Sequence, residues 1–191
     1  AAVILAKAIF SSGIGMPKNL ATALTYGIII DTLNLYRVKR QGIFRIYMEV
    51  LANCDMKALV RIQNPPRPRM YYLIFKKALE RARQVGNLVF CNLGPIDDQV
   101  YVAYIADFLL PLEGAKWSFC TGRYRDRLYV SLRTCVEGAT ALNMLKSVFS
   151  DSSQAGGHGT IAGGSIYMGS KAKEEKWANT EKELIKRLVA S

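Results

Sequence analysis

Residues 128–133 read Leu-Tyr-Val-Ser-Leu-Arg, a stretch in which apolar and polar side chains alternate. Successive side chains of a β-strand point to opposite faces, so this pattern predicts a strand with one apolar face. That face carries Leu128, Val130 and Leu132. The other face carries Tyr129, Ser131 and Arg133. A second apolar run, 116–123, precedes it across the polar turn 124–126, and the two runs predict paired strands.

Helical patterns surround this strand pair. Apolar spacing and boundary residues predict helices at 1–10, 19–30 with Asn19 as its cap, 43–52, 56–62, 70–84, 99–110, 139–149 and 171–190. Trp177, Leu184 and Leu188 form the expected inner face of the last helix. Shorter apolar runs predict further strands at 87–91 and 165–168, with a glycine-rich loop between 155 and 164. Helices interleaved with strands predict an α/β fold.

The segment 64–68 divides the chain, because Pro65, Pro66 and Pro68 are incompatible with the interior of a helix or a paired strand. We therefore expect a helical domain at 1–63, a linker at 64–69 and a mixed-sheet α/β domain at 70–191. The chain lacks an initiating methionine and begins inside a predicted helix. The sequence is accordingly interpreted as part of a longer protein.

The composition limits the class of protein. Half of the 191 residues are apolar, which favours a folded chain, and no apolar run is long enough to predict a membrane span. Lys and Arg number 26 against 15 Asp and Glu, and this net charge of +11 favours polyanionic partners such as nucleic acid, nucleotides or polyphosphate. The alternative is a generally basic surface. The four cysteines show no metal-binding spacing, and reduced thiols in a cytoplasmic protein are expected.

The glycine-rich segment 155–164 contains five glycines and His158, the sole histidine. Bare backbone N–H groups there, beginning with Gly156 and Gly157, are suited to holding an anion, and a histidine can donate to a phosphate. Arg133 and Ser131 add a guanidinium fork and a hydroxyl. The alternative is an ordinary turn beside a solvent-facing arginine.

Asp31 ends the apolar run 27–30, where a buried carboxylate would need a hydrogen bond, a cation or a metal. A helix-end aspartate bonded to nearby backbone N–H groups is the favoured alternative.

Three segments, taken in order, resemble the DHH family of phosphoesterases with its DHH-associated domain. Residues 21–32 (ATALTYGIIIDT) look like the family segment A-T-A-L-x-x-G-I-x-x-D-T, which closes the catalytic domain. Residues 129–133 (YVSLR) look like its V-S-L-R strand, and 156–163 (GGHGTIAG) are similar to its glycine–histidine loop. The resemblance implies that 1–63 is the end of a catalytic domain and that 70–191 is the DHH-associated, substrate-binding domain.

The resemblance also implies chemistry. Family members use a two-metal site, usually manganese, to hydrolyse phosphate esters. Asp31 matches the last metal-binding aspartate, and Arg133 with Gly156, Gly157 and His158 match residues that grip the substrate. The Asp-His-His triplet that names the family is missing, so the chain by itself is expected to be inactive.

Several alternatives stay open at this level. The substrate is expected to be a nucleotide, a short oligonucleotide or polyphosphate, the last as in exopolyphosphatase-related enzymes. A non-catalytic nucleic-acid-binding module is the competing class. The resemblance leaves a homodimer open.

Overall fold

The computed structural model describes residues 1–32, 34–35 and 41–190. The chain forms two compact units, Ala1–Arg67 and Pro68–Ser191, and the boundary between them in the sequence falls within the proline-containing segment. Across the described residues, no helix is both long and apolar enough to cross a membrane.

The first unit is helical. Its helices are α1 (Ala2–Ser11), α2 (Lys18–Asp31), α3 (Gln41–Ala52) and α4 (Met56–Gln63). Their common core consists of Ala6, Ala21, Leu24, Ile46 and Val50. The prediction that Asn19 caps the second helix is wrong. The helix begins one residue earlier, after Pro17, and Asn19 Oδ1 instead accepts a hydrogen bond from the N–H of Leu20.

The second unit is a mixed α/β domain. Its helices are α5 (Arg69–Arg81), α6 (Val100–Leu109), α7 (Ala141–Val148) and α8 (Glu174–Ala190). Its strands are β1 (Arg83–Val85), β2 (Leu88–Pro95), β3 (Trp117–Tyr124), β4 (Arg127–Thr134), β5 (Ala155–His158) and β6 (Ile161–Tyr167). The sheet order is β1-β2-β3-β4-β6-β5, and β2 with β3 is its parallel pair. The predicted α/β fold is confirmed.

Helices cover the sheet on both faces. On one face, Leu128, Val130 and Leu132 pack in a core with α7 and α8, so the alternation of β4 is confirmed. Trp177, Leu184 and Leu188 are buried in the same core, as the pattern of the last helix predicts. On the other face, α5 and α6 pack over β2, β3 and β4. The polar side of β4 therefore lies against α6 rather than facing open solvent.

Two further assignments made from the sequence are wrong, the end of one helix and the type of one segment. The fifth helix ends at Arg81 rather than at Gln84, because 83–85 pair with β2 across the turn at Gly86, whose φ is +57°. The glycine-rich segment is not a loop but the β5–β6 hairpin, which turns at Gly159 and Thr160. The sequence of these strands shows no period-two pattern because Gly156, Gly157, Gly163 and Gly164 have no side chain that could display it.

The four cysteines are free thiols in different surroundings. Cys91 and Cys120 are buried register neighbours on β2 and β3, Cys54 is half-buried, and Cys135 is exposed. Burial raises the pKa of the Cys120 thiol. A hydrogen bond with Cys120 lowers the pKa of Cys91.

Candidate phosphate-binding cleft

Arg133 is held in place by four hydrogen bonds at the end of β4. Its Nε donates to Asp107 Oδ1 of α6 at 2.6 Å. Its Nη1 donates to Ser131 Oγ at 2.5 Å and to the carbonyl oxygens of Leu132 and Ala162 at 3.1 and 3.2 Å. The side chain is only 9% exposed, so these contacts fix the plane of the guanidinium. Ser131, the other residue predicted for this site on β4, is part of the same arrangement.

The second terminal nitrogen of Arg133 remains available. Within the described part of the chain, Nη2 makes no hydrogen bond, although it is not a buried unpaired atom. A guanidinium carries two N–H groups on that nitrogen, and they suit an anionic oxygen. The arrangement therefore presents a fixed, charged donor to whatever occupies the space beside it.

That space is an open cleft of about 440 Å³ between the first turn of α6 and the strands β4 and β6. Its lining residues are Gln99, Val102, Ala103, Tyr129, Val130, Ser131, Arg133, Gln154, Ile161, Ala162, Gly163, Gly164 and Ser165. Arg133 is the charged residue among them, and Gly163, which is in register with Ser131, leaves the backbone bare on the same face. A cleft with one fixed cation and exposed backbone is suited to a phosphate group.

Strand register places Gly156 and His158 on the same face as Arg133. Arg133 pairs with Ile161, which pairs with His158 on the edge strand β5. Residues directly opposite each other in an antiparallel pair project to the same side, so His158 and Arg133 share a face about 10 Å apart, two strand spacings. By the same register Ser131, Gly163 and Gly156 form the adjacent row. His158 is exposed, and neither it nor Gly156 is among the residues that line the cleft.

Gly157 has a different role from Gly156. It pairs with Ala162, whose side chain is buried in the α7 side of the core. A Cβ on Gly157 would lie 2.3 Å from the carbonyl oxygen of Ile161, and its φ is +150°. A Cβ on Gly156 would meet nothing within 4 Å. Gly157 is therefore required for the hairpin itself, whereas Gly156 keeps the open face bare.

Asp31 belongs to the first unit and ends α2. Its side chain is 60% exposed, with Oδ2 3.8 Å from the amino group of Ala1, so it is not the buried carboxylate that the sequence left open beside the favoured helix-end aspartate. Among the described residues, no group of three or more His, Cys, Asp or Glu could hold a metal ion. The residues described here therefore do not fit a two-metal centre.

Sequence reasoning missed the α6 side of the cleft. Asp107 is the one charged residue of an otherwise apolar and aromatic helix, and that isolation is a signal that could have been used. Gln99 and Gln154 line the cleft as well. Gln154 is anchored by a 3.1 Å hydrogen bond to Asp151 Oδ2, and the hydroxyl of Ser153 lowers the pKa of Asp151. No pattern in the sequence distinguishes these amides from surface glutamines.

Comparison with known proteins identifies the fold. No protein-family model matches the chain. An uncharacterized protein of Methanocaldococcus jannaschii is 31% identical over 189 residues, which cover 98% of this chain and 38% of that protein. The crystal structure of an exopolyphosphatase-related protein from Bacteroides fragilis superposes with a TM-score of 0.69 at 18% identity, covering 92% of this chain and 53% of that one.

A pGpG-specific phosphodiesterase from Vibrio cholerae matches with a TM-score of only 0.42 at 14% identity, over 78% of this chain and 51% of that one. The chain thus has the fold of the exopolyphosphatase-related protein. It spans well under half of its curated relative and about half of that structure.

Proposed function

We propose that this chain supplies the phosphate-binding part of a metal-dependent phosphoesterase of the DHH family, which hydrolyses phosphate esters of nucleotides or short oligonucleotides. The observation that carries the proposal is Arg133, whose guanidinium is fixed through Nε and Nη1 by Asp107, Ser131 and backbone carbonyls. The residue lines an open cleft, and its Nη2 makes no hydrogen bond among the described residues. Fixing a charged donor before the ligand arrives reduces the entropy lost on binding. The shared fold and the three motif segments support the same class.

The rest of the proposed site follows from the sheet. Gly156 and Gly163 leave room for a ligand to approach the backbone of β5 and β6, and Ser131 offers a hydroxyl. His158 is proposed to contact the ligand from the rim. In the whole enzyme Asp31 is proposed to provide one manganese ligand. A single carboxylate cannot hold two metal ions. We therefore propose that the 191-residue chain binds substrate but does not hydrolyse it.

Polyphosphate is the second candidate ligand. The net charge of +11 favours any polyanion, and the structure that shares the fold is named for its relation to exopolyphosphatases. A nucleic-acid-binding module without catalysis would use the same charge. In either case Arg133 remains the proposed contact.

Replacing Arg133 by alanine is expected to weaken binding of a nucleoside 5′-monophosphate by about 1–3 kcal/mol, roughly fivefold to hundredfold, because a charge-assisted hydrogen bond is lost. Isothermal titration calorimetry on the 191-residue chain measures this directly. Lys146→Ala is the matched control, since it removes one positive charge from α7 on the opposite face of the sheet. Equal affinity of Arg133→Ala and the parent chain would refute the proposal.

His158→Ala is expected to weaken binding of the same nucleotide by less than Arg133→Ala does. The reason is that His158 is exposed and is proposed to contact the ligand from the rim of the cleft. The same titration measures it, and the unfolding midpoint of the variant serves as the control for folding. A larger loss of affinity in His158→Ala than in Arg133→Ala would show that the principal contact with the ligand lies on β5.

A further inference from the structure

Asp107 faces Arg133 from α6, and neither the glycine–histidine segment nor the strand motif includes it. Its carboxylate contacts the guanidinium through one oxygen only, Oδ1 to Nε at 2.6 Å. Arg133 is 9% exposed, whereas the Asp107 side chain is 58% exposed. The acid is therefore the more exposed member of the pair, and it lies one turn of α6 beyond Ala103, which lines the cleft.

This contact determines which part of the guanidinium a ligand can use. A guanidinium binds an anion bidentately through two neighbouring nitrogens. Asp107 occupies Nε, and Ser131 with two carbonyl oxygens occupies Nη1. Only Nη2 remains, so a phosphate group is bound through one nitrogen rather than by a fork.

The contact also determines the charge of the cleft. Among the described lining residues Arg133 supplies the only formal charge, and Asp107 balances it from the adjacent turn of α6. Arg127 lies on the same face of β4, six residues away, but it is bonded to Ser165 Oγ at 3.0 Å. A ligand with several negative charges gains attraction from one guanidinium and repulsion from an exposed carboxylate beside it.

We propose that Asp107 is both the positioning residue for Arg133 and the residue that makes the cleft select a singly charged phosphodiester over a multiply charged phosphate chain. This inference rests on the proposed phosphate-binding function of Arg133, which it refines to a substrate class. Asp107 holds Nε and so leaves Nη2 as the open donor of Arg133, and its charge acts against polyphosphate.

The experiment compares two ligands on the full 191-residue chain. Inorganic tripolyphosphate carries several negative charges, and the dinucleoside monophosphate ApA carries one. Asp107→Asn removes the charge but keeps an oxygen that can accept from Nε, whereas Asp107→Ala removes both. Glu175→Gln, an exposed acid on α8 across the sheet, controls for the change in net charge. Calorimetry gives the affinity of each ligand for each variant at one low and one physiological salt concentration.

Asp107→Asn is expected to raise the affinity for tripolyphosphate about fivefold to tenfold and to change the affinity for ApA by less than about twofold. Asp107→Ala is expected to weaken binding of ApA, because Asp107 no longer holds the Arg133 side chain in place. If Asp107 had only a structural role, its replacement would change the affinities of both ligands by the same factor. An equal change in the two affinities, or no change, in Asp107→Asn therefore overturns the inference. If Arg133→Ala leaves both affinities unchanged, the phosphate-binding function itself fails. If Arg133→Ala weakens both but Asp107→Asn leaves their ratio unaltered, only the role of Asp107 fails.

Discussion

Glu181→Ala is expected to lower the free energy of unfolding of the second unit by about 3–5 kcal/mol, the usual loss when one partner of a buried ion pair is removed. Glu181 lies on α8 and is 4% exposed. Its two oxygens accept from Arg123 of β3, Oε1 from Nε at 3.1 Å and Oε2 from Nη2 at 2.7 Å. The hydroxyl of Thr121 also donates to Oε1 at 3.4 Å.

The physical reason is that Arg123 cannot reach water when Glu181 is gone. Its side chain is 11% exposed, and a guanidinium is not deprotonated in proteins, so Arg123 stays charged in the variant. Glu174 also bonds to Arg123 Nη1 and would remain as a partner. We therefore expect a loss near the lower end of this range.

Urea unfolding followed by tryptophan fluorescence measures the effect, because both tryptophans, Trp117 and Trp177, lie in the second unit. Glu183→Ala on the same helix is the control. Glu183 pairs with Arg187 at the surface, and its loss is expected to cost less than about 1 kcal/mol. Equal midpoints for the two variants would contradict the assignment of Glu181 as a buried partner.

Gly157→Ala is expected to destabilise the β5–β6 hairpin by about 2–6 kcal/mol, whereas Gly156→Ala is expected to be neutral or slightly stabilising. At Gly157 two costs of about 1–3 kcal/mol each combine, a left-handed φ and an overlap with the neighbouring strand. The new Cβ would lie 2.3 Å from the oxygen of Ile161 and 2.6 Å from Cα of Ala162. At Gly156 the Cβ meets open space, and the unfolded chain loses freedom.

The two glycine variants are matched because they are adjacent, share a strand and add the same methyl group. Urea unfolding by tryptophan fluorescence compares them with the parent chain. A loss of stability at Gly156 equal to that at Gly157 would show that the strand register is different. The nucleotide titration then adds a second readout, since Gly156→Ala narrows the open face without altering the core.

Much of the second unit could be predicted from local pattern. The alternation of β4 placed Leu132 in the core and Arg133 on the opposite face, and the spacing of Trp177 and Leu188 gave the inner face of α8. These features depend on a residue and its near neighbours, which a sequence displays directly. The grouping of Arg133 and Ser131 on one face was accessible for the same reason.

The remainder depends on distant parts of the chain. Most of the β5–β6 hairpin was predicted as a loop, since glycines show no alternation. Only the pairing of β6 with β4 and of β5 with β6 defines these residues as strand. Asp107 and Arg133 are separated by 26 residues on a helix and a strand, so their contact is fixed by how α6 packs on the sheet. Cleft residues such as Gln154 come from yet another element, and local periodicity carries no information about that convergence.

The central claim is that the Nη2 of Arg133 binds a phosphate oxygen in the cleft beside α6. A crystal structure of the chain with a bound nucleoside 5′-monophosphate tests it most directly. We expect a phosphate oxygen within about 3 Å of Nη2, above Gly163, with the Asp107 contact to Nε retained. A phosphate bound elsewhere, with Nη2 still facing an empty cleft, would contradict the account.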